Sequence, residues 1–160
     1  MKGARLLGQY SDFGVEHLAT TVPGWKPASS KLERWDARDF PVFGLPDRVM
    51  VELYEQIAKP RVAYIADVWD CENIAKWAAV HVAELWARLV ARGEVDPGVL
   101  YQGVVLGSIP VPNDAPFGNH GANFFFNDRN QYRIFEFQTM RLLSEEEVAR
   151  SQAVWRLQLE

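Results

Sequence analysis

The chain has 160 residues, 48% of them hydrophobic, and a formal net charge of −4 at pH 7. This length predicts one domain with a core large enough to fold unaided. The acidic charge and the lack of a basic run argue against a nucleic-acid partner. No window approaches twenty consecutive apolar residues, so we expect no membrane span. A single cysteine excludes an internal disulfide, and the N-terminus lacks the pattern of a signal peptide, so we expect a cytoplasmic protein.

The first sixty residues predict a wrapping segment with short elements. A strand is expected near residues 4–10, where apolar residues are scattered. A short helix is predicted over residues 31–39, because the hydroxyl of Ser29 or Ser30 can accept a free amide of its first turn.

Two further helices have clearer signals. Pro46 at the first helical position favours a helix over Asp47–Ala58, with a buried stripe at every fourth residue. A short extended segment follows over residues 61–66. The longest helix is predicted over residues 71–92, since apolar side chains recur on one of its faces. The stripe of the first helix is Val49, Leu53 and Ile57, and that of the second is Ile74, Ala78, Val82, Leu85 and Leu89.

The second half of the chain predicts an antiparallel sheet. A strand is expected over residues 99–109, with Gly103 and Gly107 as possible bulges. Two aromatic-rich runs, residues 122–127 and 131–138, form a hairpin signal.

The chain then ends with a short helix and a last strand. Ser144 followed by Glu147 predicts a capping box, and residues 154–159 alternate apolar and polar side chains. Helices followed by strands indicate an α+β fold, in which the long cysteine-bearing helix packs on the sheet.

Three residues suggest nucleophilic chemistry by their order in the chain. Cys71 opens the long helix, His120 precedes a strand, and Glu136 lies in an apolar strand between two phenylalanines. A thiol attacks as its thiolate, which the free amides of a helix start and a neighbouring histidinium both favour. An imidazole in such a site needs a third group that orients it. A carboxylate between apolar residues is costly unless paired, so Glu136 suits that role.

The hairpin register decides whether the histidine and the carboxylate share a face. A two- or four-residue loop would pair Asn123 with Glu136 and send His120 to the other side. A three-residue loop would align Ala122 with Glu136 and His120 with Gln138. Asn130 tolerates the left-handed conformation that this loop needs. The sequence allows this register without forcing it. We predict this register, which puts His120, Glu136 and Gln138 on one face of an antiparallel hairpin.

At these residues the chain resembles the papain-like domains of the Marasmius oreades agglutinin kind and related small bacterial and phage domains. Those carry Cys-Asp-Asp-Phe-Ala, Gly-His-Ala-x-Asn and Glu-Pro-Gln-Thr, in that order. The matching stretches here start at Cys71, Asn119 and Glu136, and the resemblance covers roughly residues 61–160. It predicts a division into an N-terminal segment, residues 1–60, and a Cys-His-Glu core within the single domain. More distant transglutaminase-like proteins share the order, usually with aspartate third.

The resemblance implies a cysteine peptidase acting on a peptide or protein. Cys71 would be the nucleophile, His120 the general base and acid, and Glu136 the group that orients the imidazole. Gln138, Asn123 and Trp69 would support them from around the site.

The resemblance also raises the question of calcium, since the agglutinin domain is calcium-activated. Here the candidate metal ligands are Asp70, Glu72 and Asn73. The family's Asp-Asp pair is replaced by Glu72-Asn73, which has one charge fewer, and calcium affinity follows ligand charge. Glycine also replaces the family's alanine after the histidine.

Two other classes of function stay open at the level of sequence. The first is a catalytically silent domain of the same fold that binds or supports a partner in a phage or mobile-element protein. The second is a structural domain without a site, in which Cys71 is a small buried hydrophobe, His120 a loop residue and Glu136 a surface residue of an edge strand.

Overall fold

The computed structural model describes residues 3–33, 40–58, 70–110 and 118–159. Its helices there are a 3-10 turn at Tyr10–Asp12, α1 (Val15–Thr21), α2 (Asp47–Ala58), α3 (Cys71–Ala91) and α4 (Glu145–Ala149). Its strands are β1 (Arg5–Gln9), β2 (Lys31–Glu33), β3 (Pro41–Gly44), β4 (Val99–Leu100), β5 (Gln102–Ile109), β6 (Gly118–Phe126), β7 (Tyr132–Glu136), β8 (Arg141–Leu142) and β9 (Ala153–Leu159).

A six-stranded sheet in the order β2-β9-β5-β6-β7-β8 is the centre of the fold. Adjacent strands in this sheet are antiparallel, except that β2 lies parallel to β9. A smaller sheet has the order β1-β3-β4. Helices packed on mixed sheets make this an α+β fold, as predicted.

The large sheet is covered on both faces. Along β6 the side chains alternate, so Phe124 and Phe126 pack with Phe13 and Leu18 of the N-terminal segment. Phe125 instead packs with the core residues of α2 and α3. The long helix therefore lies on one face of β5 and β6, and the N-terminal segment on the other.

The two long helices begin and end close to where the sequence places them. Helix α2 buries Met50, Leu53, Tyr54 and Ile57, so its buried stripe is wider than predicted and Val49 lies at its partly exposed margin. Helix α3 starts at Cys71, one residue after a capping aspartate, and Ile74, Ala78 and Val82 form its buried face; Leu85 and Leu89 are partly buried beside them.

The hairpin register follows the three-residue loop. The Asn127 amide donates to the Gln131 carbonyl at 3.1 Å, and Asn130 has a φ of 59°. Asn123 pairs with Phe135, which aligns Ala122 with Glu136 in the same register. The register prediction is confirmed. However, β7 ends at Glu136, so Gln138 lies in a turn and not on the strand.

The helix predicted over residues 31–39 is wrong for the residues described. Residues 31–33 form β2, because they pair in parallel with β9 at the far end of the chain. Ser30 does not cap a helix: its hydroxyl donates to the Val154 carbonyl and accepts from the Lys26 amide. Residues 34–39 lie outside the described part.

The single strand predicted over residues 99–109 is two strands in different sheets. β4 pairs with β3 in the small sheet, and β5 lies between β6 and β9 in the large one. The bulge at Gly107 is confirmed by a register shift against β9, whereas the pairing passes Gly103 without one. At Gly103 a Cβ would lie 1.9 Å from the Gln158 carbonyl oxygen, so the glycine is needed for close strand approach.

The remaining predictions concern the end and the middle of the chain. The capping box at Ser144 and the final strand are confirmed. The extended segment predicted over residues 61–66 lies outside the described residues, and the division near residue 60 stays a prediction. None of the helices in the described ranges is long and apolar enough to cross a membrane.

Candidate active site

Cys71 is the first residue of α3. The Asp70 side chain caps the helix by accepting the Asn73 amide at 3.0 Å, and the Asp70 carbonyl accepts the Ile74 amide. Helix geometry leaves the amides of Cys71 and Glu72 pointing out of the helix start, where the macrodipole is positive. The thiol is half-buried at this end and accepts a hydrogen bond from the Gly121 amide, with 3.3 Å between N and Sγ.

His120 lies in β6 and is hydrogen-bonded to Glu136. The imidazole is 7% exposed and the carboxylate 2% exposed. Because a carboxylate only accepts, Nε2–H of His120 donates to Oε2 of Glu136. The other carboxylate oxygen, Oε1, accepts the Gln138 amide at 2.8 Å. The remaining ring nitrogen, Nδ1, is the one left for the thiol.

The thiol and the imidazole shift each other's acidity. The hydrogen bond with His120 lowers the pKa of Cys71, and the Gly121 amide and the charge of His120 act in the same direction, against burial and the Asp70 carboxylate. Burial alone would lower the pKa of His120, but its hydrogen bonds to Cys71 and Glu136 and the charge of Glu136 raise it to about 9. The pair therefore favours thiolate and imidazolium over two neutral groups.

The ends of the strands create room for this arrangement. Strand alternation puts His120 and Glu136 on the face shared by Ala122 and Phe124. The described pairing of β6 with β7 stops at Asn123 and Phe135. Residues 137–140 turn away, so His120 lies beyond the last β7 pair, beside the start of α3.

The residues expected to support the site have distinct positions. Gln138 contributes its backbone amide to Glu136, and its side chain is partly exposed. Asn123 is fully buried, and its Nδ2 donates to the Ala75 carbonyl at 2.8 Å and to the Gly103 carbonyl at 3.4 Å. It thus ties β6 to the first turns of α3. Trp69 lies outside the described residues.

The candidate calcium ligands are engaged within the helix. Asp70 caps α3, and the Glu72 carboxylate pairs with Lys76 at 2.5 Å. The contact of Asn73 with Asp70 is made by the backbone N–H of Asn73. Within the described ranges, no group of three or more His, Cys, Asp or Glu side chains could hold a metal ion. Calcium takes several oxygen ligands, and the carboxylates of Asp70 and Glu72 already have the partners named above.

An apolar cavity of about 350 Å³ lies at the opposite end of α3. Its walls include Trp86, Val90, Val99 and Leu100. These residues belong to the C-terminal half of the helix and to β4, so the cavity is separate from Cys71 and is no substrate pocket for that thiol.

Gly121 is the site residue that the sequence motifs did not single out. In the sequence it stands only as a departure from the related motif, yet its amide is a direct partner of the sulfur. A glycine inside a strand often marks the close approach of another backbone, and this is the one signal that the sequence offers for Gly121.

Comparison with known proteins gives one structural likeness. No protein-family model matches the chain, and no curated protein matches its sequence. The fold is similar to that of the PSL1a-E64 complex, with a TM-score of 0.64 and 15% sequence identity over 91% of this chain. The match covers 48% of that structure's chain, so the present chain spans about half its length. At this identity the likeness shows a shared fold and nothing about chemistry.

Proposed function

We propose that the protein is a papain-like cysteine peptidase or a related thiol acyl-transfer hydrolase. One observation carries the proposal: Glu136 accepts hydrogen bonds from the Gln138 amide and from His120, and the hydrogen bond of His120 to Cys71 is the largest cause that lowers the pKa of that thiol. A nucleophile, a base and a group that orients the base are the parts that such catalysis needs. A purely structural domain has no need of a histidine and a carboxylate buried together beside its only cysteine.

Acylation follows from the positions of these groups. The Cys71 thiolate attacks the carbonyl carbon of a peptide or amide, and the carbonyl π electrons move to its oxygen. When the tetrahedral intermediate collapses, the C–N bond breaks and Nδ1–H of the His120 imidazolium protonates the leaving amine. The products of this half are an amine and a thioester on Cys71.

Deacylation uses the same groups in reverse. Neutral His120 takes a proton from water, whose oxygen attacks the thioester carbonyl. The C–S bond breaks, and carboxylic acid, thiolate and imidazolium are restored. Glu136 keeps Nε2–H of His120 in place throughout, which leaves Nδ1 as the atom that moves protons.

The start of α3 supplies charge stabilisation for the developing oxyanion. The Cys71 and Glu72 amides point out of the helix beside the sulfur, and the helix macrodipole adds to their effect. Backbone amides aimed at a developing oxyanion stabilise it strongly, because they need no reorganisation during the reaction.

The name of the structural neighbour agrees with this proposal and supplies a probe. E-64, which stands in that neighbour's name, is a cysteine-protease inhibitor. Combined with the shared fold and the Cys71–His120 pair, this favours a thiol enzyme with a peptide-like substrate.

The experiment treats the wild type and Cys71→Ala with E-64 and measures intact mass, and then screens both proteins against peptide and amide substrates. We expect one inhibitor molecule per wild-type chain, none on Cys71→Ala, and hydrolysis by the wild type alone. Thermal melts check that Cys71→Ala stays folded, as expected for a small change at a helix end. If both proteins are inert and the wild type is unlabelled, the proposal fails and a silent binding domain replaces it.

A further inference from the structure

The amide that contacts the sulfur belongs to a regular row of donors along β6. The Asn127 amide donates to Gln131, on the side of β7, and the Phe126 amide donates to Tyr101, on the side of β5. Amides along a strand alternate between its two neighbours. The odd-numbered amides of β6, including those of Asn123 and Gly121, therefore point to the side of β7.

At Gly121 the row runs past the end of its partner strand. The register that pairs Asn123 with Phe135 would pair Gly121 with Phe137, but Phe137 lies in the turn after β7. The Gly121 amide instead donates to Sγ of Cys71. The sulfur thus accepts the hydrogen bond that a carbonyl of β7 would accept if that strand continued.

Close approach at this point depends on the missing side chain. A Cβ on Gly121 would lie 3.0 Å from Cα and 3.1 Å from N of Glu72, and 3.0 Å from Cδ2 of Leu106. Leu106 can rotate away, whereas the Glu72 atoms are backbone of the first turn of α3. A larger residue must therefore push the helix start, and the thiol with it, away from β6.

We propose that Gly121 is a positioning residue that holds the Cys71 sulfur at the end of β6. Its amide takes the sulfur where β7 ends, and its lack of a side chain lets the first turn of α3 reach that amide. This inference rests on the proposed function, since it concerns how the same thiol is held against His120. It assigns β6 two tasks: residue 120 supplies the base from one face, and residue 121 receives the helix start.

The test is the pH dependence of Cys71 alkylation by iodoacetamide in the full chain. The variants are Gly121→Ala, Gly121→Val, Leu106→Ala and the double variant Gly121→Val with Leu106→Ala. Valine suits a strand, so it adds bulk without removing strand propensity. Leu157→Val on β9 serves as a destabilised control in the buried core, and thermal melts accompany every variant.

We expect the thiolate to appear at higher pH in the order wild type, alanine, valine. At pH 6 the alkylation rate of Gly121→Val should fall about tenfold or more, since raising a thiol pKa by about one lowers its thiolate population tenfold at a fixed pH below that pKa. Adding Leu106→Ala to Gly121→Val should not restore the alkylation rate, because the valine side chain still meets the Glu72 backbone. Leu157→Val should melt earlier with an unchanged alkylation profile.

Two results would overturn the role of Gly121, and a third would overturn the proposed function. A Gly121→Val protein that melts early but keeps the wild-type alkylation profile would overturn the inference, as would full restoration by Leu106→Ala. If the valine variant does not fold, the alanine variant carries the same comparison. Wild-type Cys71 reacting like free cysteine would instead remove the proposed function itself, so the two failures are distinguishable.

Discussion

At the scale of single residues, the strongest signal is a carboxylate where none is expected. Glu136 stands between Phe135 and Phe137, and both neighbours are buried with it. A buried charge is costly unless it is paired and hydrogen-bonded. Each carboxylate oxygen has a donor, one from His120 and one from the Gln138 amide. The pairing of Glu136 is therefore predictable from sequence, whereas the Gly121 contact depends on where β7 ends and could not be predicted from the motif.

The first prediction concerns Glu136→Gln. A carboxamide replaces one of the two accepting oxygens with a donating nitrogen, so either the contact with Nε2–H of His120 or the contact with the Gln138 amide is lost. Without the carboxylate charge the pKa of His120 should fall from about 9. We expect the alkaline limit of hydrolysis to move to lower pH and kcat to decrease.

The matched comparison is His120→Ala, which removes the base itself. Its loss of kcat should be about 10²- to 10⁴-fold, and larger than that of Glu136→Gln. Rates over a range of pH measure both. An alkaline limit that is the same in Glu136→Gln and wild type would show that Glu136 does not govern the imidazole.

At the scale of elements, the sequence predicted correctly those elements whose stabilising contacts are between residues close in the chain. The hairpin loop, α2 and the start of α3 follow from residues near one another, such as Asn130 and the Asp70 cap. The failures need distant partners. Residues 31–33 form β2 because they pair with β9, which is more than 100 residues away in the sequence. The apolar run over residues 99–109 is divided between β4 in the small sheet and β5 in the large sheet. Propensity alone cannot show either pairing.

A prediction at the start of α3 uses Asp70. Its negative charge raises the pKa of Cys71, while its side chain caps the helix. Asp70→Asn keeps a capping oxygen and removes the charge, so thiolate should appear at lower pH with little change in melting temperature. Asp70→Ala also loses the cap, which should cost about 1 kcal/mol of unfolding free energy. Alkylation profiles and urea unfolding measure these effects; a shift of Asp70→Asn to higher pH would contradict them.

The hairpin loop allows a separate test of the register. Asn130 has a φ of 59°, in the left-handed region. Asn130→Val should lower the unfolding free energy by about 1–2 kcal/mol, because a β-branched residue is strained there. Asn130→Gly should stay near the wild-type value, because glycine adopts that conformation freely. Urea unfolding decides, and equal stability of the valine and glycine variants would exclude the three-residue loop.

At the scale of the whole molecule, the site exists because three distant segments meet at one end of the sheet. The start of α3, the beginning of β6 and the end of β7 bring together residues 71, 120 and 136. The sequence predicted this meeting through a resemblance and a register argument. It could not predict how the start of α3 would be placed against β6 and β7, because that depends on packing between α2, α3 and the two sheets.

Calcium binding is also a property of the whole molecule. The Asp70 and Glu72 carboxylates are engaged by the helix cap and by Lys76, so we expect calcium to stabilise the fold little. Thermal melts with calcium and with chelator measure this directly, since a tight ligand of the native state must raise the melting temperature. A rise of many degrees at micromolar calcium would contradict the expectation.

The most direct test of the thiolate–imidazolium pair is the alkylation rate of Cys71 as a function of pH in wild type and His120→Ala. The His120 hydrogen bond is the main cause that lowers the pKa of Cys71, and the pKa of His120 is raised to about 9. Wild type should therefore react well below the pH at which an ordinary thiol ionises, with a second change near pH 9 as the imidazolium loses its proton. His120→Ala should show a single titration at higher pH. Superimposable profiles for the two proteins would contradict the account.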